Sequence, residues 1–181
     1  GTVTGTAGTV NIFDGVEVEG NVGTAVWSYD QQYAQYWIVG ADYNFAAVVD
    51  ATVATADTYG MPLTLTTIAD DATSNLEDML YATASVADAA ADQDPVNFTF
   101  SHLLSKAKFT VKSTAQGNYY HTVTGIKVSN FKTGTYTIAD GTWTASSDED
   151  NKKDVAFEEI ANVTNATGAQ SNAEMLLVPN A

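Results

Sequence analysis

The sequence predicts a mainly β protein, an antiparallel β-sandwich with at most one short helix. Thr, Val, Tyr and Ala are abundant, while runs of strong helix formers are scarce. Apolar and polar residues alternate strictly in two neighbouring segments, and short strand-like segments follow one another at close spacing, which is typical of a sandwich. With 181 residues, 45% of them apolar, the chain is long enough to bury one sizeable core.

The alternation is clearest in the segment 96–112. Val96, Phe98 and Phe100 occupy every second position, so a side-chain period of two places them on one face of a strand over 96–101. The segment 106–112 repeats the pattern and predicts a half-exposed antiparallel strand. Its inward set is Ala107, Phe109 and Val111, and its outward set is Lys106, Lys108, Thr110 and Lys112. We expect Phe98, Phe100, Phe109 and Val111 to point into a common interior.

Shorter patterns predict the other elements in chain order. The Gly- and Thr-rich start at 1–10, the acidic and Ala-rich stretch 88–95 and the charged stretch 146–154 are expected to be loops. Further strands are predicted where β-branched and aromatic residues gather, at 37–39, 43–49, 63–67, 121–128, 135–138, 142–144 and 174–178.

Two local signals add a hairpin and a possible helix. Asp140-Gly141 is a pair that tolerates positive φ, so we expect a two-residue turn between the strands at 135–138 and 142–144. Ser74 to Glu77 fits a capping box, and Leu76, Met79 and Leu80 follow at helical spacing. The same region is equally compatible with an extended chain over 78–82, because β-type residues continue it.

Charge and cysteine content exclude several classes of function. Seven basic residues, all lysine, stand against 22 acidic ones, and the net charge is −15. This charge repels nucleic acid and anionic headgroups, and no guanidinium is present for bidentate phosphate contacts. The absence of Cys excludes disulfides, thiolate metal sites and a cysteine nucleophile. We therefore expect no nucleic-acid partner, and no apolar run is long enough for a transmembrane segment in this chain.

Catalytic and cofactor motifs are weak or missing. His102 and His121 lie 19 positions apart without metal-ligand spacing, and His102 is interpreted as a hydrogen-bonded residue at a strand end. No nucleophile elbow, dinucleotide fingerprint or phosphate loop occurs. We predict no enzyme, no catalytic residue, no metal and no cofactor.

Three tryptophans allow an alternative function. Trp27, Trp37 and Trp143 could form an aromatic platform for stacking sugars, which would make the chain a surface carbohydrate-binding module. The competing interpretation places them in the core, because buried aromatics are the usual case. Solvent exposure separates the two interpretations.

The run from Val96 to Val111 resembles the central signature of the fimbrillin-like proteins of the Bacteroides group. There a Phe-x-Phe-x-His segment leads into Leu-Ser-Lys and another Phe-containing strand. The matching positions here are Phe98, Phe100, His102, Leu104, Lys106 and Phe109. Supporting pieces occur in the family's order at 36–37, 43–47, 79–82, 125–128, 133–136, 141–143 and 176–179, so the resemblance covers about 27–179.

The resemblance implies a transthyretin-like Greek-key sandwich that is exported as a lipoprotein precursor. It also implies a structural or adhesive subunit of a pilus or fimbria at the cell surface and outer membrane. Its partners would be other pilus subunits, joined by strand donation at a sheet edge, with host or bacterial surface ligands as further candidates. We expect residues 1–181 to be a single N-terminal domain of this family, without the C-terminal domain that members usually carry.

Overall fold

The computed structural model describes residues 1–20, 27–68, 76–117, 119–145, 148–164, 169–170 and 174–179. The chain divides into two units. The first unit comprises Gly1–Val48, Thr55–Leu63 and Tyr81–Ser101, and the second comprises Val49–Ala54, Thr64–Leu80 and His102–Ala181. The strands are antiparallel wherever their register is defined, so the mainly β, sandwich-like class is confirmed.

Nineteen strands are described, with two 3₁₀ helices at Gln31–Tyr33 and Glu149–Asn151. The strands are β1 (Thr2–Gly5), β2 (Gly8–Asn11), β3 (Glu19–Gly20), β4 (Trp27–Ser28), β5 (Asp42–Val49), β6 (Ala51–Ala56), β7 (Pro62–Thr67), β8 (Leu80–Val86), β9 (Ser101–His102), β10 (Ser105–Ala107), β11 (Thr110–Val111), β12 (His121–Val123), β13 (Lys127–Phe131), β14 (Thr135–Thr137), β15 (Thr142–Thr144), β16 (Lys152–Ala156), β17 (Ile160–Val163), β18 (Ala169–Gln170) and β19 (Met175–Leu177).

The first unit is built on the sheet β2-β1-β5-β8-β9. Its central strand β5 alternates, with Tyr43 and Phe45 buried between exposed Asp42 and Asn44, as the period of two predicts. Five of its buried residues form one cluster: Val3, Ala41, Tyr43, Phe45 and Ala89. Aromatic rings dominate this core, and Trp37 packs edge-on against Tyr43 with ring centroids 4.6 Å apart.

The second unit contains β14, β15, residues 51–54 of β6, residues 64–67 of β7 and four two-stranded ladders, and the strand order in the four-stranded sheet is β15-β14-β7-β6. The ladders join β10 to β19, β11 to β18, β12 to β17 and β13 to β16. Its most deeply buried side chains are Leu65, Met79 and Val163. These apolar residues lie far apart in the sequence, so the unit depends on long-range contacts.

The predicted hairpin at Asp140-Gly141 is confirmed, but its loop is longer than expected. Thr137 pairs with Thr142, which leaves four residues between β14 and β15 rather than two. Gly141 has φ +67, and its N–H donates to the carbonyl of Thr137 over 3.0 Å. The Asp140 carboxylate accepts from the Thr142 N–H and hydroxyl, so it closes the loop in place of a tight primed turn.

Several predicted elements are wrong in detail. The expected loop at 1–10 is the hairpin of β1 and β2, and the expected loop at 146–154 gives way to β16 from Lys152 onward. The predicted strand at 37–39 is irregular chain that ends in a turn, and that at 121–128 is interrupted, with Gly125 at φ +73. Of the strand predicted at 96–101, only Ser101 lies in a strand, β9. Val96 and Phe98 are nevertheless half-buried and alternate with exposed Asn97 and Thr99.

The helix prediction is resolved toward the extended alternative. Its start at Ser74-Asn75 lies outside the described residues, while Leu76 to Met79 are not helical and Leu80 opens β8. The described part of the chain contains no α-helix. Among these residues, no helix has the length and apolar character needed to span a membrane.

Candidate functional site

The aromatic residues of the signature lie at different depths and in different units. Phe98 is half-buried against the core of the first unit, with its ring centroid 6.5 Å from that of Phe45. Phe100 follows in the same unit but is 40% exposed. Phe109 packs edge-on against buried Phe157 in the second unit, at 4.7 Å between centroids. The expectation of a common interior is wrong for Phe100, which is exposed, while Phe98 and Phe109 each pack within their own unit.

His102 is held at the strand end by a carboxylate. Its Nδ1 lies 2.9 Å from Oδ1 of Asp78, and its side chain is largely exposed. This contact confirms the interpretation of His102 as a hydrogen-bonded strand-end residue. Within the described residues, no group of three or more His, Cys, Asp or Glu side chains is arranged to hold a metal ion.

Leu103 and Leu104, which follow His102, are held in the second unit by hydrogen bonds and burial. The N–H of Leu103 donates to the carbonyl of Met79 over 2.9 Å, and its carbonyl accepts from Nε1 of Trp143 over 3.1 Å. Leu104 is buried. Trp143 itself is only 8% exposed and contacts Tyr136 at 5.4 Å between ring centroids.

Burial removes Trp143 from any sugar-stacking platform. Trp37 is half-buried and packs against Tyr43 and Phe45 in the first unit, so part of its ring is covered by protein. Trp27 is 56% exposed and lies over Gly20, where a Cβ atom would come within 2.5 Å of the indole. Of the three tryptophans, only Trp27 presents a mostly free ring.

The lysines of the signature segment form an exposed stripe. We define the lysine stripe as Lys106, Lys108 and Lys112, all exposed, alternating with half-buried Ala107, Phe109 and Val111. The outward and inward sets therefore match the sequence prediction, although the strand is divided into β10 and β11. Glu174, just before β19, pairs with Lys106 and lies 3.9 Å from Lys108. The hydrogen bond from Lys106 lowers the pKa of Glu174 below its usual value.

Strand β6 forms an edge of the four-stranded sheet and was missed by the sequence analysis. Its six residues, Ala-Thr-Val-Ala-Thr-Ala, include no charge, Gly or Pro, and all but the first are exposed. Among the described edge strands it is the longest, since β2 and β15 have four and three residues and the strands of the isolated ladders have at most five. The β-branched residues Thr52, Val53 and Thr55 were the available signal, but the segment was too short to separate from a loop.

Comparison with known proteins adds a family assignment. A family model described as fimbrillin-like matches residues 1–181. Searches of curated proteins and of solved structures found no match. The family assignment therefore depends on the family model, and the distances and contacts described above are those of this chain, not of a relative.

Proposed function

Since the chain belongs to the fimbrillin-like family, we propose that it is a structural or adhesive subunit of a cell-surface pilus or fimbria. The subunit would be exported and displayed at the outer membrane, where its partners would be other subunits of the same fibre. We further propose that subunits join by strand addition. Displayed fibres need a repeated, directional contact, and an open sheet edge supplies one.

The observation that carries this proposal is the character of β6. Proteins usually protect an edge strand with charges, prolines, bulges or short length, because its free N–H and C=O groups template pairing with another chain. β6 has none of these safeguards in its sequence and is six residues long. An edge left in this state favours pairing with an extended segment of a neighbour.

The backbone of β6 has a defined inner and outer side. The carbonyl of Thr52 accepts from the Thr66 hydroxyl of β7 over 3.4 Å, so Thr52 directs its polar backbone groups toward β7. Successive residues of a strand alternate in this direction, which places the N–H and C=O of Val53 on the outer side. Val53 is also 41% exposed, so its side chain is available to a donor strand.

The test is assembly into fibres that resist SDS without heating. Purified chain, alone and mixed with the longest form of the gene product that cells make, is expected to give a ladder on unheated gels. Val53→Pro removes the outer N–H and should abolish the ladder, while Val53→Thr keeps the N–H and the β-branched shape and should retain it.

A second variant tests the same edge in case proline at position 53 disrupts the fold. Val53→Lys keeps the backbone donor but places a charge on the edge, and it should also suppress the ladder. Circular dichroism of each variant verifies the fold. Monomers under every condition, or full assembly of folded Val53→Pro and Val53→Lys, would exclude strand addition at β6.

A further inference from the structure

The two units carry different kinds of charge. All seven lysines lie in the second unit, and both histidines do as well. The first unit has nine carboxylates and no Lys, Arg or His, which gives a formal charge of −9. The second unit has 13 carboxylates against its seven lysines, 7 − 13 = −6, and the two values add to the −15 of the whole chain.

Within the second unit, the lysine stripe is a local positive surface. Its three lysine side chains are exposed, and within the described part of the chain Glu174 is the carboxylate that pairs with the stripe, at Lys106 and Lys108. The stripe therefore presents three exposed cations beside one ion-paired carboxylate. Because exposed charges act over about 8 Å at physiological ionic strength, a docking surface responds to these lysines more than to the net charge of the whole chain.

We propose that the lysine stripe docks against the first unit of a second copy of this chain and so orients neighbouring subunits head to tail. This inference rests on the proposed function, since it supposes that copies assemble. Contact between two first units would bring carboxylates against carboxylates with no lysine on either side. Contact between the stripe and a first unit is the arrangement that joins opposite charges.

A contact between two different surfaces can propagate from copy to copy. The stripe of one copy would face the first unit of the next, and where the rotation between copies does not close into a ring, the contact extends into a fibre. Its main effect is on orientation and on the rate of encounter, because exposed ion pairs contribute little to the final stability. Strand addition at β6 would then hold the oriented pair.

The first experiment measures assembly rates with charge-matched variants. The stripe variant Lys106→Gln, Lys108→Gln and Lys112→Gln is compared with a control in which the same change is made at Lys127, Lys132 and Lys152. Both lower the net charge from −15 to −18. At low salt we expect the stripe variant to assemble about tenfold more slowly than the control, with the difference vanishing near 1 M salt, where screening is nearly complete.

The second experiment maps the contact directly. Fibres grown from equal amounts of ¹⁴N- and ¹⁵N-labelled chain are treated with a carbodiimide, which joins a lysine amine to a carboxylate without a spacer. Mass spectrometry of mixed-isotope peptides identifies the links between copies. Links from the stripe to carboxylates of Gly1–Val48, Thr55–Leu63 or Tyr81–Ser101 are the expected result.

The outcomes separate the inference from the proposed function. If the unmodified chain forms no fibres, the proposed function fails and the inference with it. If fibres form but the stripe variant assembles at the same rate as the control, the inference is overturned while the proposed function stands. The same holds if the stripe is cross-linked only to carboxylates of a second unit.

Discussion

Replacement of Trp143 by Phe tests the packing of the second unit at its most informative contact. The indole is 8% exposed, its ring packs against Tyr136, and its Nε1 donates to the carbonyl of Leu103 over 3.1 Å. The hydrogen bond joins the β14–β15 hairpin to the signature segment, 40 positions earlier in the chain. Trp143→Phe keeps an aromatic ring but removes the donor and part of the ring volume.

The expected loss has two parts. A half-buried carbonyl that loses its donor costs about 1–3 kcal/mol, and the unfilled volume left by the smaller ring costs about 1 kcal/mol more. We expect Trp143→Phe to lower the free energy of unfolding by about 2–4 kcal/mol. The matched control is Trp27→Phe, the same chemical change at a side chain that is 56% exposed, and it should cost less than about 0.5 kcal/mol.

Urea unfolding followed by circular dichroism gives both values under identical conditions. Near-equal losses for the two variants, or a loss below about 0.5 kcal/mol for Trp143→Phe, would refute the packing and hydrogen bonding inferred for Trp143.

Two further predictions concern close packing and pH. At Gly134 an added Cβ would lie 2.7 Å from Cγ1 of Val178, so Gly134→Ala should lower the free energy of unfolding in urea by about 1–3 kcal/mol. The control is Gly5→Ala, which has open space at its Cβ and should stay within about 0.5 kcal/mol of the parent. Equal effects of the two substitutions would contradict the packing at Gly134. The pKa of Glu174 is lowered first by its hydrogen bond from Lys106, so the associated stability is present above the unfolded-state pKa and is lost as the pH falls through the folded-state value. In an NMR titration, Lys106→Met should therefore raise the pKa of Glu174 toward its ordinary value, and an unchanged pKa would exclude the ion pair.

Much of the candidate site could be predicted from the sequence. The outward lysines and inward Ala107, Phe109 and Val111 follow from the side-chain period alone, which operates within a few residues. Tyr43 and Phe45 are buried for the same reason. The charge partition, by contrast, required the boundaries of the two units, which no local pattern marks.

The sequence by itself determined the β class, the polar and apolar faces of the strands, the hairpin at Gly141 and the signature that identifies the family. Only the tertiary structure decided which segments became strands. The segment 96–100 has two half-buried side chains but does not pair with a neighbouring strand, while the Gly- and Thr-rich start forms the paired strands β1 and β2. It also decided that Trp143 is buried and Trp27 exposed. The physical reason is that side-chain periodicity is local, whereas a strand exists only where a second backbone, often distant in sequence, satisfies its hydrogen bonds.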